Sequence, residues 1–208
     1  MTALSDSEVR TAHLVASVLL GYPDGRLHEA RPLLMKSVAV LPAGEVRARL
    51  AAFLVHVAAT GRGDLEAHYV ATFDLKRRCC PYLTYYTYGD TRKRGAALLR
   101  FKHAFSAAGF ELTSEELPDH LAVVCELSAR GAVGPATRLL REHRAGLELL
   151  RRSLEAERSP YAEVVAAVEA TLPPAGPRER AAALRLAAEG PPAEQVGLEP
   201  FGVTGEHR

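Results

Sequence analysis

The sequence predicts an all-α fold: a single-domain helical bundle of about eight to ten helices with an extended C-terminal tail. Three observations predict it. Apolar residues recur at helical spacing along most of the chain, punctuated by Gly and Pro. No segment alternates as a half-buried strand does; VAVLP and LAVVC are short apolar runs inside longer helical patterns. From Thr171 the composition shifts to proline and glycine (LPPAGP, EGPPAEQ), so the helical domain is assigned to 1–190 and a flexible tail to 191–208.

The elements follow in order. Ser5-x-x-Glu8 is a capping-box pattern that opens a first helix carrying Val9, Ala12, Ala16 and Leu19, ended by Gly21 and Pro23. Leu27, Leu34, Val38 and Leu41 predict a second, entered around Pro32. Val46, Leu50, Phe53, Leu54 and Val57 make a third, stopped by Gly61; Leu65, Tyr69 and Phe73 mark a short fourth. Helicity resumes over 91–108 with Leu98, Phe101 and Phe105, up to a turn at Gly109. In ELTSEELPDHLAVVCELSARG, Thr113 or Ser114 is a candidate cap, and Pro118 fits only a first turn, which predicts a helix over 118–129. A single helix over 135–157 follows, with Leu140, Leu147, Leu150 and Leu154 inward and a Glu148–Arg152 pair in the favourable order. Tyr161–Leu172 and Arg178–Ala188 complete the set.

At 208 residues the chain is long enough to bury one sizeable core. A formal net charge of +1 argues against a nucleic-acid-binding domain, which is normally basic. Three cysteines, two of them adjacent, are no disulfide framework and suit a reducing compartment. The Leu14–Leu20 run has acidic Asp6 and Glu8 before it and lacks the basic leader and cleavage site of a secretory signal. No run approaches the ~20 apolar residues that span a bilayer. A cytoplasmic protein without membrane insertion is expected.

One stretch stands apart: LKRRCCPYLTYYTYGDTRKRG, at 75–95, with two cysteines, four tyrosines and six basic residues. Cys79, Cys80, Cys125 and His120 could supply metal ligands, but vicinal cysteines lack the C-x2-4-C spacing of structural zinc sites. A reactive cysteine could gain acidity from Arg77 or Arg78, yet no base lies nearby in sequence. Elbow, zincin, Walker and dinucleotide fingerprints are absent, so neither an enzyme nor a bound cofactor is expected. Basic residues interleaved with tyrosines can hold phosphates and stack bases. That keeps a helical RNA-binding or signalling adaptor as the alternative. Tyrosine also offers large contact area at low entropic cost, which favours a groove for a partner peptide.

The run FDLKRRCCPYLTYYTYGDTRKRGAALLRFKHAF, followed by LPDHLAVVCEL, resembles the NarJ family, the cytoplasmic assembly chaperones of respiratory nitrate reductase within the wider TorD-like group. The resemblance covers roughly residues 5–170 and the EQVGLEPFG tail, and is most specific over 73–95. It implies a non-enzymatic holdase that binds the apo, molybdenum-containing catalytic subunit, in part through that subunit's N-terminal segment. It keeps the client competent for cofactor insertion and then leaves; cofactor-delivery proteins are further candidate partners. In that light Tyr82, Tyr85, Tyr86 and Tyr88 become groove walls, at least two of them with a core role as well. Asp90, Asp119 and Glu126, with Glu115 and Glu116, become acidic partners for a basic peptide. Asp119 serves equally as a cap, and His120 is a pH-sensitive contact. Arg92 and Arg94, like Arg77 and Arg78, would repel such a peptide; they would touch acidic client surface or pair with acids of their own fold.

Overall fold

A computed structural model of the chain describes residues 4–89, 91–112 and 116–189. Asp90, the Thr113/Ser114 cap and the predicted tail 191–208 lie outside the described residues. Eleven α-helices run through the described residues: α1 (Asp6–Leu19), α2 (Gly25–Ala39), α3 (Glu45–Ala59), α4 (Arg62–Tyr69), α5 (Leu83–Tyr88), α6 (Lys93–Ala107), α7 (Leu121–Ala129), α8 (Val133–Glu142), α9 (Arg144–Ala156), α10 (Tyr161–Ala170) and α11 (Pro177–Glu189). A π-helical turn, Val70–Asp74, and a 3₁₀ turn, Arg77–Cys79, join α4 to α5. Among the described residues no helix is long and apolar enough to cross a membrane.

The core forms around two helices. α1 packs mainly on α7, and also on α10, α2 and α3; α10 packs on α3 and α9. α10 reads YAEVVAAVEA, and nearly every side chain from Tyr161 to Val168 is buried. A helix apolar on all sides belongs inside. The Ser5–Glu8 capping box opens α1 as its sequence predicts. His13, on the inner face of α1, is fully buried and meets the Thr171 hydroxyl at 2.9 Å; burial pushes its pKa down to about 4.

Three boundaries differ from expectation, each for a local reason. The second helix starts at Gly25, because the Asp24 carboxylate accepts from the Arg26 N–H; Pro32 sits inside the helix instead of opening it. The predicted 135–157 helix is divided at His143, whose φ of −109° and ψ of 17° break the helical course. Its buried ring bonds the Leu139 carbonyl, and Leu140, Leu147, Leu150 and Leu154 still face the core. Finally, α7 starts at Leu121, not at Pro118. His120 is extended there, and its backbone lies beside Tyr82 as an isolated antiparallel bridge.

Candidate functional site

The bridge ties the two motif-bearing segments together. Leu83 N–H donates to the Asp119 carbonyl and Leu121 N–H to the Pro81 carbonyl, both at 3.0 Å. The Asp119 side chain, wholly buried, completes the joint. Its Oδ2 accepts from the Thr84 hydroxyl and, at 3.2 Å, from the Thr84 N–H, and it lies 3.6 Å from Arg94 Nη2. Asp119 therefore caps α5 from a distant part of the chain. It does not cap its own following helix: His120 does that, with Nδ1 accepting from the Ala122 N–H at 3.2 Å. The expected Asp119 cap of this helix is thus replaced by the His120 imidazole. Burial pushes the His120 pKa down, against the opposing pull of Glu116 and Asp119.

The tyrosines divide by exposure. Tyr86 is buried; its hydroxyl donates to the carbonyls of Cys80 (2.9 Å) and Arg78 (3.2 Å). Its ring rests on Gly146 of α9, where an added Cβ would come within 2.8 Å of Tyr86 Cβ. Tyr85 is half-buried and set edge-on to Tyr86. Tyr88 accepts a hydrogen bond from Arg100. Tyr82, half-buried like Tyr85 and Tyr88, is edge-on to His120, covered by the Arg94 guanidinium, and donates its hydroxyl to Glu116 Oε1 at 2.9 Å. Tyr86 and Asp119, being buried, support the surface and do not face a ligand. Glu126 is exposed and pairs with Arg130 one turn on. Arg92 stands exposed before α6.

Glu116 extends the site toward residues that the motif reading passed over. Tyr69 is pushed up to about 12, first by burial and then by the charges of Asp74 and Glu116. Both carboxylates thus lie within charge range of the buried Tyr69 hydroxyl. Tyr22, 53% exposed, lies edge-on to Tyr69 with centroids 5.5 Å apart, and Tyr69 donates to the Leu20 carbonyl. Leu75 and Leu117, next in sequence to the two carboxylates, are exposed. Tyr22 is the exposed ring set against the buried Tyr69, while the half-buried Tyr82 bonds Glu116, and Asp74 is exposed. The available signal was Tyr22 itself, an aromatic residue in GYPDG that no helical stripe accounts for.

The thiols are placed for packing. Cys79 and Cys125 are buried, and burial pushes both thiol pKa values up, outweighing Arg78 and Lys76 at Cys79. Among the described residues no three His, Cys, Asp or Glu side chains gather as metal ligands.

The family model described as nitrate reductase delta subunit matches residues 41–167. The probable nitrate reductase molybdenum cofactor assembly chaperone NarJ of Bacillus subtilis is 31% identical over 163 residues, which cover 78% of this chain and 89% of the relative. The nitrate reductase molybdenum cofactor assembly chaperone NarJ of Escherichia coli K12 is 30% identical over 152 residues, covering 72% of this chain and 64% of the relative. The nitrate reductase-like protein NarX of Mycobacterium tuberculosis is 38% identical over 157 residues, covering 74% of this chain but only 23% of the relative. The matched span contains the whole tyrosine-rich segment and the Asp119–His120 joint, and the chain belongs to the nitrate reductase delta subunit family, NarJ among its members.

Proposed function

We propose that this protein is a cytoplasmic, non-enzymatic assembly chaperone that binds the apo catalytic subunit of respiratory nitrate reductase during molybdenum cofactor insertion and is absent from the finished enzyme. Kinship with the NarJ chaperones supports this reading, and the accessible rings Tyr22 and Tyr82 with the carboxylates Asp74 and Glu116 carry it. A segment with apolar side chains and arginines finds ring faces there for the former and Asp74 and Glu116 for the latter. The N-terminal segment of the client is the proposed occupant, with cofactor-delivery proteins as further partners. The buried Asp119–Thr84–Arg94 joint holds Tyr82 in place from behind.

Calorimetric titration with the N-terminal peptide of the catalytic subunit, at low and high salt, tests the reading. Saturable binding with a negative heat-capacity change is expected. Tyr22→Ala and Glu116→Gln should each weaken it roughly ten-fold with little change in melting temperature. A protein that binds neither this peptide nor the apo subunit is not the chaperone proposed. Binding that ignores both substitutions would move the site off these residues.

A further inference from the structure

Helix α6 has a property that client binding leaves unexplained. From Thr91 to Phe110 the sequence has no acidic residue and five Lys or Arg: Arg92, Lys93, Arg94, Arg100 and Lys102. Helical spacing sorts them. Ala97, Phe101 and Phe105 are buried, and Arg94 turns toward Thr84 and Asp119. The outer line runs Arg92, Ala96, Leu99 and His103, with Lys93 and Arg100 on one flank and Lys102 on the other; all are exposed. Among the described residues Arg92, Lys93, Arg100 and Lys102 form no ion pair; Arg100 donates to the Tyr88 hydroxyl. His143 feels the charge of Arg100 together with those of the carboxylates Glu142 and Asp119. A chain of net charge +1 thus concentrates on one exposed face four cations without an ion-pair partner among the described residues, around Leu99, which is 54% exposed.

We infer that the outer face of α6 docks reversibly on an anionic lipid surface. Cations surrounding a central apolar side chain suit a helix lying along the headgroup region, where the ammonium and guanidinium groups meet lipid phosphates and the leucine enters the acyl boundary. RNA fits less well, because both phenylalanines of α6, Phe101 and Phe105, are buried, which leaves the His103 imidazole as the ring on the outer line of this face. A protein partner would need a broader apolar centre than one leucine. Each cation near an anionic surface raises partition about five-fold, so four give weak, salt-sensitive, reversible attachment. Such attachment is peripheral, with no segment crossing the bilayer.

The test is co-sedimentation of the full chain with vesicles of phosphatidylcholine alone, or with about a third phosphatidylglycerol. Partition onto the anionic vesicles at low salt, lost at high salt and absent from the neutral ones, is expected. Lys93→Glu with Lys102→Glu should lower it at least about a hundred-fold. Lys36→Glu with Arg185→Glu makes the same change of net charge on other helices and should lower it far less. Leu99→Ser should lower vesicle partition several-fold and leave binding to single-stranded RNA unchanged. No partition at low salt overturns the inference, as does an equal loss from both double substitutions. RNA binding as tight as vesicle binding, with Leu99→Ser inert in both, would assign the face to a nucleic acid instead. No client enters either assay, so these results stand independently of the chaperone reading.

Discussion

Two basic runs flank the tyrosines, and the fold treats them in opposite ways. KRR is fastened down: Lys76 and Arg78 both pair with Glu157, where Arg158 takes a left-handed φ of 52° and Ser159 bonds His68 at 2.9 Å. RKR is divided: Arg94 turns inward to Asp119 and Thr84, while Arg92 and Lys93 face water. The first run, with Tyr86 lodged over Gly146, forms a fixed floor; the second opens a helix whose outer charges have no ion pair among the described residues. A basic residue type therefore has no fixed role in this sequence. Its role depends on whether a carboxylate arrives from a distant element, as Glu157 and Asp119 do.

Removing the inward anchor should have the largest effect. Asp119→Ala would strip Thr84 of its acceptor and leave the Arg94 guanidinium without its buried partner, at a cost of about 3–5 kcal/mol in urea unfolding. Asp119→Asn keeps an oxygen for the Thr84 cap and should lose less. A protein that stayed fully stable as Asp119→Ala yet failed to bind client would reverse the comparison, making Asp119 a surface contact.

Acid should loosen the buried side next. His13 takes up a proton near pH 6.5 when unfolded but only at about 4 when folded. The stability it contributes is complete above pH 6.5 and is lost as the pH falls toward 4, about 3 kcal/mol in all. His120 and His143, also lowered by burial, act with the same sign. Urea unfolding at stepped pH should show this slope, and His13→Leu should flatten it by about one proton.

Smaller losses follow from the floor itself. Gly146→Ala puts a methyl group against Tyr86 Cβ and ring, which sit too close to the backbone to swing away. About 2 kcal/mol is expected, seen as a lower melting temperature. Glu157→Gln should cost about 1 kcal/mol, since Lys76 and Arg78 are partly exposed, and the difference from wild type should shrink in high salt.

Most of the fold was legible because helices announce themselves locally. Val9, Ala12, Ala16 and Leu19, or Leu147, Leu150 and Leu154, state their buried face without knowledge of anything else. The breaks were harder. His143 interrupts a continuous leucine stripe through its own backbone angles and a ring bond to Leu139, which no residue pattern marks. The site was legible as a neighbourhood and not as a geometry. The run 75–95 and LPDHLAVVCEL stand out in the sequence, but Asp119 reads equally as a cap or a contact until Thr84 is placed beside it. Tyr69 was legible as a stripe residue with Leu65 and Phe73, but its contact with Tyr22 and its link to Glu116 were not, because they join separate segments of chain.

The smallest expected effect is the most informative about the exposed run. Arg92→Gln with Lys93→Gln removes two charges that have no ion-pair partner among the described residues. Stability should therefore change by no more than about 0.5 kcal/mol, in either direction, because isolated surface charges contribute little to folding. Neither residue supports the tyrosines, so peptide titration should also give an unchanged affinity. A loss of 2 kcal/mol or more would mean that these side chains are anchored as firmly as Lys76 and Arg78, and the two runs would no longer differ. Unchanged stability together with altered salt dependence of surface binding would instead confine the role of RKR to the outer face of α6. The same pair of charges would then be neutral for folding and decisive for docking, the inverse of Glu157 and its two partners.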